Sequence, residues 1–316
     1  MDRPLIPVQL NMEEIDSYMN ALQTSLEVDV KCETEDANEK VVFYLGDCRK
    51  LLAEMLNGSV QLVVTSPPYN IGKEYESSQT LDKYLETQAQ VIEQCVRVMA
   101  ENGSLCWQTG NYVCDGEIVP LDTLLFPVFR ELGLKMRNRI VWHFEHGLHC
   151  TKRLSGRYET ISWYTKSNDY LFDVDPIRIP QKYPGKRHFK GPKIGQLSGN
   201  PLGKNPGDVW IFPNVKHNHI EKTNHPCQFP IELVERLVLS MTEPDDLVLD
   251  PYMGVASTAI GALRHGRRAI GAEVDRDYHS MGCERIQAEL SGLLRTRPMG
   301  KPVYQPPSNN DAHNLI

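Results

Sequence analysis

The feature that most constrains this chain is an alternation. Short β-branched runs, each followed by a segment of helical period, occur in two blocks, and residues 176–226 between them show little period. Val60–Thr65 reads VQLVVT, nearly all apolar, as a strand buried on both faces does. Val41–Leu45 is a second such run and ends at Gly46-Asp47. Leu81–Ala100 sets Leu81, Leu85, Ile92, Cys95, Val96 and Met99 on one helical face. Gly103–Thr109, Arg139–His143 and Tyr158–Thr165 read as further strands, with the helical pattern Leu121–Leu132 among them. In the second block Pro230 opens a helix that carries Leu233, Val234, Leu237, Val238 and Met241. Strand Leu247–Leu249, helix 254–265, strand Arg267–Gly271 and helix Asp275–Leu290 complete it. Such alternation predicts an α/β fold, a doubly wound, mostly parallel sheet whose ligands bind beyond the carboxyl ends of its strands.

The 316 residues are 41% apolar and 24% charged, enough for a large core and far from a disordered, collagen-like or disulfide-stapled composition. No stretch reaches the ~18–20 apolar residues of a membrane span, and the first residues lack a signal pattern, so a cytosolic protein is expected. Eight cysteines are scattered without a CxxC pair and read as inert thiols. The histidine clusters His143/His146/His149 and His217/His219/His225 lack cysteines at zinc spacing, so no metal is expected. Residues 1–40 form an N-terminal arm with an amphipathic stretch at Met12–Leu26. Residues 41–172 and 225–294 are the two ordered halves, 173–224 the intervening region, and 295–316 a flexible tail rich in Pro, Asn and Gln.

Charge is unevenly spread. From Pro176 to Gly207 there is no acid, while Arg178, Lys182, Lys186, Arg187, Lys190, Lys193 and Lys204 set +7 against −14 in the rest, a total of −7. A basic block on an acidic body suits a polyanion-binding face, since neutralised phosphates release counterions; a solvated loop is the plain alternative.

Two motifs carry chemistry. Asp250-Pro251-Tyr252-Met253-Gly254-Val255-Ala256-Ser257-Thr258 follows a strand and opens a helix, so backbone N–H groups can approach a ligand closely. Glu273 ends the next strand about twenty residues beyond the glycine, the offset at which a carboxylate accepts from ribose hydroxyls. Thr65-Ser66-Pro67-Pro68-Tyr69 follows the buried strand. Two prolines there fix the chain and leave carbonyls free to accept, between a hydroxyl and an aromatic face. That is a platform for a planar base bearing an amino group.

Together SPPY and DPYMGVAST resemble the amino-group DNA methyltransferases, which use S-adenosylmethionine to methylate cytosine N4 or adenine N6. With the catalytic motif first and the cofactor motif last, the order resembles the permuted β group, over about Val41–Leu290. The resemblance implies a Rossmann-like, seven-stranded methyltransferase sheet with an inserted target-recognition region at 173–224. Residues 41–172 are then the catalytic half and 225–294 the S-adenosylmethionine-binding half. It implies catalysis by Ser66, Pro67, Pro68 and Tyr69, and cofactor binding by Asp250, Tyr252, Gly254, Thr258 and Glu273. Asp47 matches the acid near the cofactor adenine, and His225-Pro226 the segment flanking its methionine part. DNA contacts fall to Arg178, Lys182, Lys186, Arg187, Lys190, Lys193 and Lys204. The family usually has a second glycine where this chain has Ala256, whose methyl tightens the turn.

The implied chemistry is positioning and electrostatics on a flipped base, with Tyr69 stacking on it. Ser in the first motif position is typical of cytosine-N4 enzymes and Asp of adenine-N6 enzymes, so cytosine N4 in double-stranded DNA is the expected target and adenine N6 the alternative. Pro226-Cys227-Gln228 also spells the nucleophile motif of the cytosine-C5 enzymes, but the motif order is reversed and no Glu-Asn-Val follows. A DNA-binding protein without catalysis is a further alternative, and RNA or protein methylation is disfavoured by the basic insertion. The family's commonest setting is restriction–modification, which implies a cognate restriction endonuclease; a homodimer is a further expected partner state, and no membrane is involved.

Overall fold

The computed structural model describes residues 12–26, 40–69, 80–145, 147 and 149–303. The rest of the expected arm and tail, Cys32 and His146 lie outside the described residues.

Chain order is α1 (Met12–Ser25), β1 (Val41–Leu45), α2 (Cys48–Glu54), β2 (Val60–Thr65), α3 (Leu81–Val98) and β3 (Met99–Thr109). A small hairpin follows, β4 (Asn111–Cys114) and β5 (Glu117–Pro120), then α4 (Leu121–Glu131), β6 (Lys135–His143) and β7 (Tyr158–Thr165). After the long irregular region come β8 (Val209–Ile211), α5 (Ile231–Met241), β9 (Leu247–Asp250), α6 (Ser257–Arg264), β10 (Arg268–Glu273) and α7 (Arg276–Leu290). Helix starts follow local chemistry: Asp47, Thr80 and Asp275 cap α2, α3 and α7 by accepting from backbone N–H groups of the first turn.

The main sheet has strand order β1-β10-β9-β2-β3-β7-β6-β8, and only β7 runs against its neighbours. The doubly wound α/β expectation is met, with eight strands instead of seven. The addition is β8, in which Trp210 points inward between exposed Val209 and Ile211, so the strand can lie on the sheet edge beside β6. Trp210, Phe212 and Val215 are buried, so packing against the sheet resumes within the 173–224 stretch.

Helices cover both faces. One core joins α5, α6 and α7 to the sheet through Val234, Leu237, Val238, Ala259 and Ile286. The other packs Met19 and Leu22 of α1, Leu51 and Leu52 of α2, Ile92 and Cys95 of α3 and Phe129 of α4 on the opposite face. Each fully buried Leu or Ile contributes about 1.5–3 kcal/mol. The start of the expected flexible tail is also docked: Arg297 is 8% exposed, pairs with buried Glu232 at 2.5 Å, and donates its backbone N–H to Glu221. An unpaired carboxylate at Glu232 would be costly, which is what holds this segment down.

From β9 the chain moves to β10 on one side, and from its neighbour β2 it moves to β3 on the other. This is the switch point of the sheet. The carboxyl ends of β1, β10, β9 and β2, all parallel, therefore open together into one crevice.

Candidate active site

At the centre of that crevice, Asp250 at the end of β9 is fully buried. Its Oδ1 accepts from Thr65 Oγ1 at 2.6 Å and from the Tyr252 N–H, and its Oδ2 accepts from Thr258 Oγ1 at 2.6 Å. Burial raises this carboxyl to about 6 despite those bonds. Asp250 and Thr258 thus hold the turn in place from beneath, and neither is among the residues that line the cleft. Pro226 also stands back, its carbonyl accepting from Lys216 Nζ at 2.6 Å.

The cleft holds about 230 Å³ and brings together Gly46, Asp47, Ser66, Pro67, Pro68, Tyr69, His225, Tyr252, Gly254 and Glu273, residues far apart in sequence. Gly254 has φ +56°, a left-handed conformation that favours glycine, and lies against His225 Nε2. Glu273 sits where β10 ends, and burial raises its carboxyl above the usual range while Asp275 N–H binds Oε1 at 2.8 Å. Asp47, on the other wall, pairs with Arg49 at 2.5 Å, and that guanidinium holds its carboxyl below the usual range. Burial pushes the His225 imidazole down to about 4, so the ring is neutral near pH 7 and stands edge-on to Tyr278 at 4.6 Å. Carboxylates at two ends, an apolar wall from Val255 and Val274, and a glycine turn between them suit a nucleoside with a charged tail. Among the described residues no group of three or more His, Cys, Asp or Glu is placed to hold a metal.

A second, smaller cavity of about 70 Å³ adjoins the first and shares Ser66, Tyr69, Cys227, Gln228 and Phe229 with it. Its remaining wall is Gln108, Trp142, Phe144, Glu159, Asn214 and Lys216. Ser66 Oγ lies 3.0 Å from Tyr69 Oη, and Tyr69 Oη donates to Glu159 Oε2 at 3.2 Å. Gln108 Nε2 donates to the same oxygen at 2.5 Å. The Tyr69 ring lies where a Cβ on Gly110 would come within 2.9 Å, so this glycine makes room for it. Burial raises both the Tyr69 hydroxyl and the Glu159 carboxyl above their usual ranges.

Sequence reasoning missed this second wall. Glu159 had one available signal: it is the only acid in YETISWYT, a strand otherwise uncharged. Gln108 and Trp142 carried none, because their strands read as ordinary core, and Phe144 and Asn214 fall just beyond strand ends in stretches without a motif.

The basic residues lie elsewhere, on an extended arm. Backbone bonds between Ile179 and Lys204 close its base, and His188 N–H to Gln196 O and Ser198 N–H to Lys186 O pair its two sides. Lys182, Lys186, Arg187, Lys190, Lys193 and Lys204 are exposed. Arg178 is not free in the same way: it pairs with Asp175 at 2.7 Å and donates to Gly203 O, so it secures the arm's base.

Residues 60–284 match the DNA methylase family. The chain is 51% identical over 247 residues to the type II methyltransferase M.BglII of Bacillus subtilis, covering 78% of this chain and 69% of that protein. It is 32% identical over 262 residues to the DNA adenine methyltransferase YhdJ of Escherichia coli, covering 81% and 86%. Among solved structures, the cytosine-N4-specific PvuII DNA methyltransferase superposes with a TM-score of 0.63, over 81% of this chain and 93% of that one, at 20% identity. TTHA0409 of Thermus thermophilus, complexed with S-adenosyl-L-methionine, superposes with a TM-score of 0.56 at 27% identity, over 79% and 96%.

Proposed function

This chain belongs to the DNA methylase family that acts on exocyclic amino groups, and from that premise we propose that it methylates N4 of a flipped cytosine at a specific site in duplex DNA. It is an S-adenosylmethionine-dependent methyltransferase. The observation that carries the finer proposal is Ser66 at the first motif position, where two cavities meet, one suited to a nucleoside cofactor and the other lined by Tyr69, Trp142 and Phe144 as faces for a planar base.

The cofactor supplies a methyl group on a sulfonium. Of the residues lining the cleft, Glu273 would accept from its ribose hydroxyls, Asp47 would face its adenine, and Tyr252 and Val274 would wall it in. His225, neutral near pH 7, lies against the Gly254 turn and flanks the cofactor's other end. On the DNA side the amine is a poor nucleophile, because its lone pair is delocalised into the ring. Ser66 Oγ and a proline carbonyl of the motif accept its two N–H bonds, which favours a pyramidal nitrogen with a localised lone pair. The rest of the catalysis is alignment in a water-poor cleft. Tyr69, whose ring faces both cavities, and Trp142 offer stacking surfaces for the extruded base. The six exposed basic residues of the arm contact phosphates and base edges. Neither a covalent intermediate nor Cys227 as a nucleophile is required.

Adenine N6 is the second reading, favoured by the likeness to YhdJ. The setting we propose is restriction–modification, in line with the type II relatives, with a cognate endonuclease acting on the same site. Nucleoside mass spectrometry of unmethylated DNA treated with enzyme and S-adenosylmethionine tests the assignment, with Ser66→Ala as control. The expected product is N4-methylcytosine, lost in the control. N6-methyladenine would overturn the base, and cofactor binding without any methylated base would overturn the reaction.

A further inference from the structure

Amine methylation leaves one proton too many. The nitrogen lone pair forms the new N–C bond, the pair of the breaking C–S bond stays on sulfur, and the nitrogen, now positive, must lose a proton. An aspartate in the first motif position could take it. Ser66 cannot keep it, because a protonated hydroxyl is far too acidic. We propose that Glu159 is the acceptor of that proton, reached from Ser66 through the hydroxyl of Tyr69. The inference rests on Ser66 being the partner of the target amine.

The geometry is a continuous line: Ser66 Oγ to Tyr69 Oη at 3.0 Å, then Tyr69 Oη to Glu159 Oε2 at 3.2 Å. As the amine gives its proton to Ser66 Oγ, the Ser66 hydroxyl passes its own to Tyr69 and Tyr69 passes its own to Glu159. Both hydroxyls end as they began, the nitrogen ends neutral, and the carboxylate becomes a carboxylic acid. Gln108 Nε2, at 2.5 Å from the same Glu159 oxygen, fixes the carboxylate at the end of the line. Among the described residues that line this cavity, Glu159 is the one carboxylate. The groups facing it are Tyr69 after β2, Gln108 on β3, Lys216 after β8 and Cys227 before α5, of which Lys216 alone is cationic. Burial outweighs that cation and leaves the carboxyl a better base than an exposed one.

Single-turnover methyl transfer at saturating cofactor and DNA, followed against pH, tests this. In the native enzyme the rate rises with pH as one carboxyl ionises and then levels. Glu159→Gln should lose that limb and about 100-fold in rate, with cofactor and DNA affinity unchanged. Tyr69→Phe keeps the ring, breaks the line and should lose about as much; Glu159→Asp should restore part of the rate with the limb displaced. An independent readout needs no turnover: in carboxyl-labelled protein without cofactor, the carbon resonance absent from Glu159→Gln should titrate above the ordinary glutamate range, and Tyr69→Phe should move it. A Glu159→Gln enzyme with native rate and native pH limb overturns the inference. Native enzyme that yields no methylated base overturns the reading of Ser66 beneath it, so the two failures are distinguishable.

Discussion

Thr65 Oγ1 donates to Asp250 Oδ1 at 2.6 Å, so two residues 185 positions apart tie the strand end that precedes SPPY to the strand end that precedes the glycine turn. The SPPY-bearing and glycine-turn-bearing parts of the chain are thereby locked at one point, with β2 and β9 as neighbours in the sheet. The pair sits fully inside the protein, and it fixes the spacing between the two motifs that line the cleft.

Thr65→Val keeps the shape and removes the bond. It should destabilise the protein by about 1.5–3 kcal/mol where Asp250 is ionised, and less once it is protonated. The sign of the wider pH dependence follows from the raised carboxyl. Between 3.8 and about 6 the folded state binds the proton more tightly than the unfolded chain. That contribution is therefore fully present below the lower value and lost as pH rises through about 6, about 3 kcal/mol in all. Denaturant titrations should show this slope in the native protein and a flatter one in Asp250→Asn.

Ala256 sits at φ +63°, fully buried, with its methyl turned toward Gly282 of α7 and away from the cleft. The left-handed conformation costs an alanine ~1–2 kcal/mol, while burying the methyl returns ~0.8 kcal/mol and a glycine would add unfolded-state entropy of ~0.4–1 kcal/mol. These nearly cancel, so Ala256→Gly should change stability by less than about 1 kcal/mol and leave the calorimetric affinity for S-adenosylmethionine unchanged. A marked gain in affinity would mean that the methyl disturbs the cofactor turn after all.

Salt dependence separates the arm's residues. Lys186→Ala combined with Arg187→Ala should reduce the slope of log affinity for DNA against log salt by about 2, with cofactor binding intact. Arg178→Ala removes a residue already paired to Asp175, and should loosen the arm's base with little change in that slope. Equal slopes for the double variant and the native protein would remove these two residues from the phosphate contacts.

Arg297→Ala leaves Glu232, 0% exposed, without its guanidinium partner. Burial pushes this carboxyl up to about 7 even with the arginine present. The variant should lose about 3–5 kcal/mol above neutrality and less in mild acid, where the orphaned carboxyl takes up a proton. Unfolding curves at two pH values check both the size and the direction.

Local chemistry in the sequence was enough to identify most of the elements and the motifs at their ends. Val60–Thr65 is apolar because both faces are covered, and such a run announces a strand wherever it lies. A turn that follows a strand and opens a helix, as at Asp250–Thr258, is likewise a matter of neighbouring residues. Helix α2 and the β4–β5 hairpin escaped, being too short for a period to register, and so did β8, whose three residues form a strand only because β6 offers an edge.

What the sequence determined by itself was the alternation of elements, the SPPY and glycine-turn motifs and the acid that ends β10, because each depends on residues within a few positions of one another. The tertiary structure decided the rest. It turned the Asp250 carboxylate inward to Thr65 and Thr258, sent Arg178 to Asp175, and brought Glu159 and Gln108 to Tyr69. The last of these depends on β7 running antiparallel to β3, which sets Gln108 opposite Ile161 and brings the start of β7 to the carboxyl end of β3. Strand direction and neighbour choice are settled by how the whole sheet buries its two faces, and no local stretch of sequence carries that information.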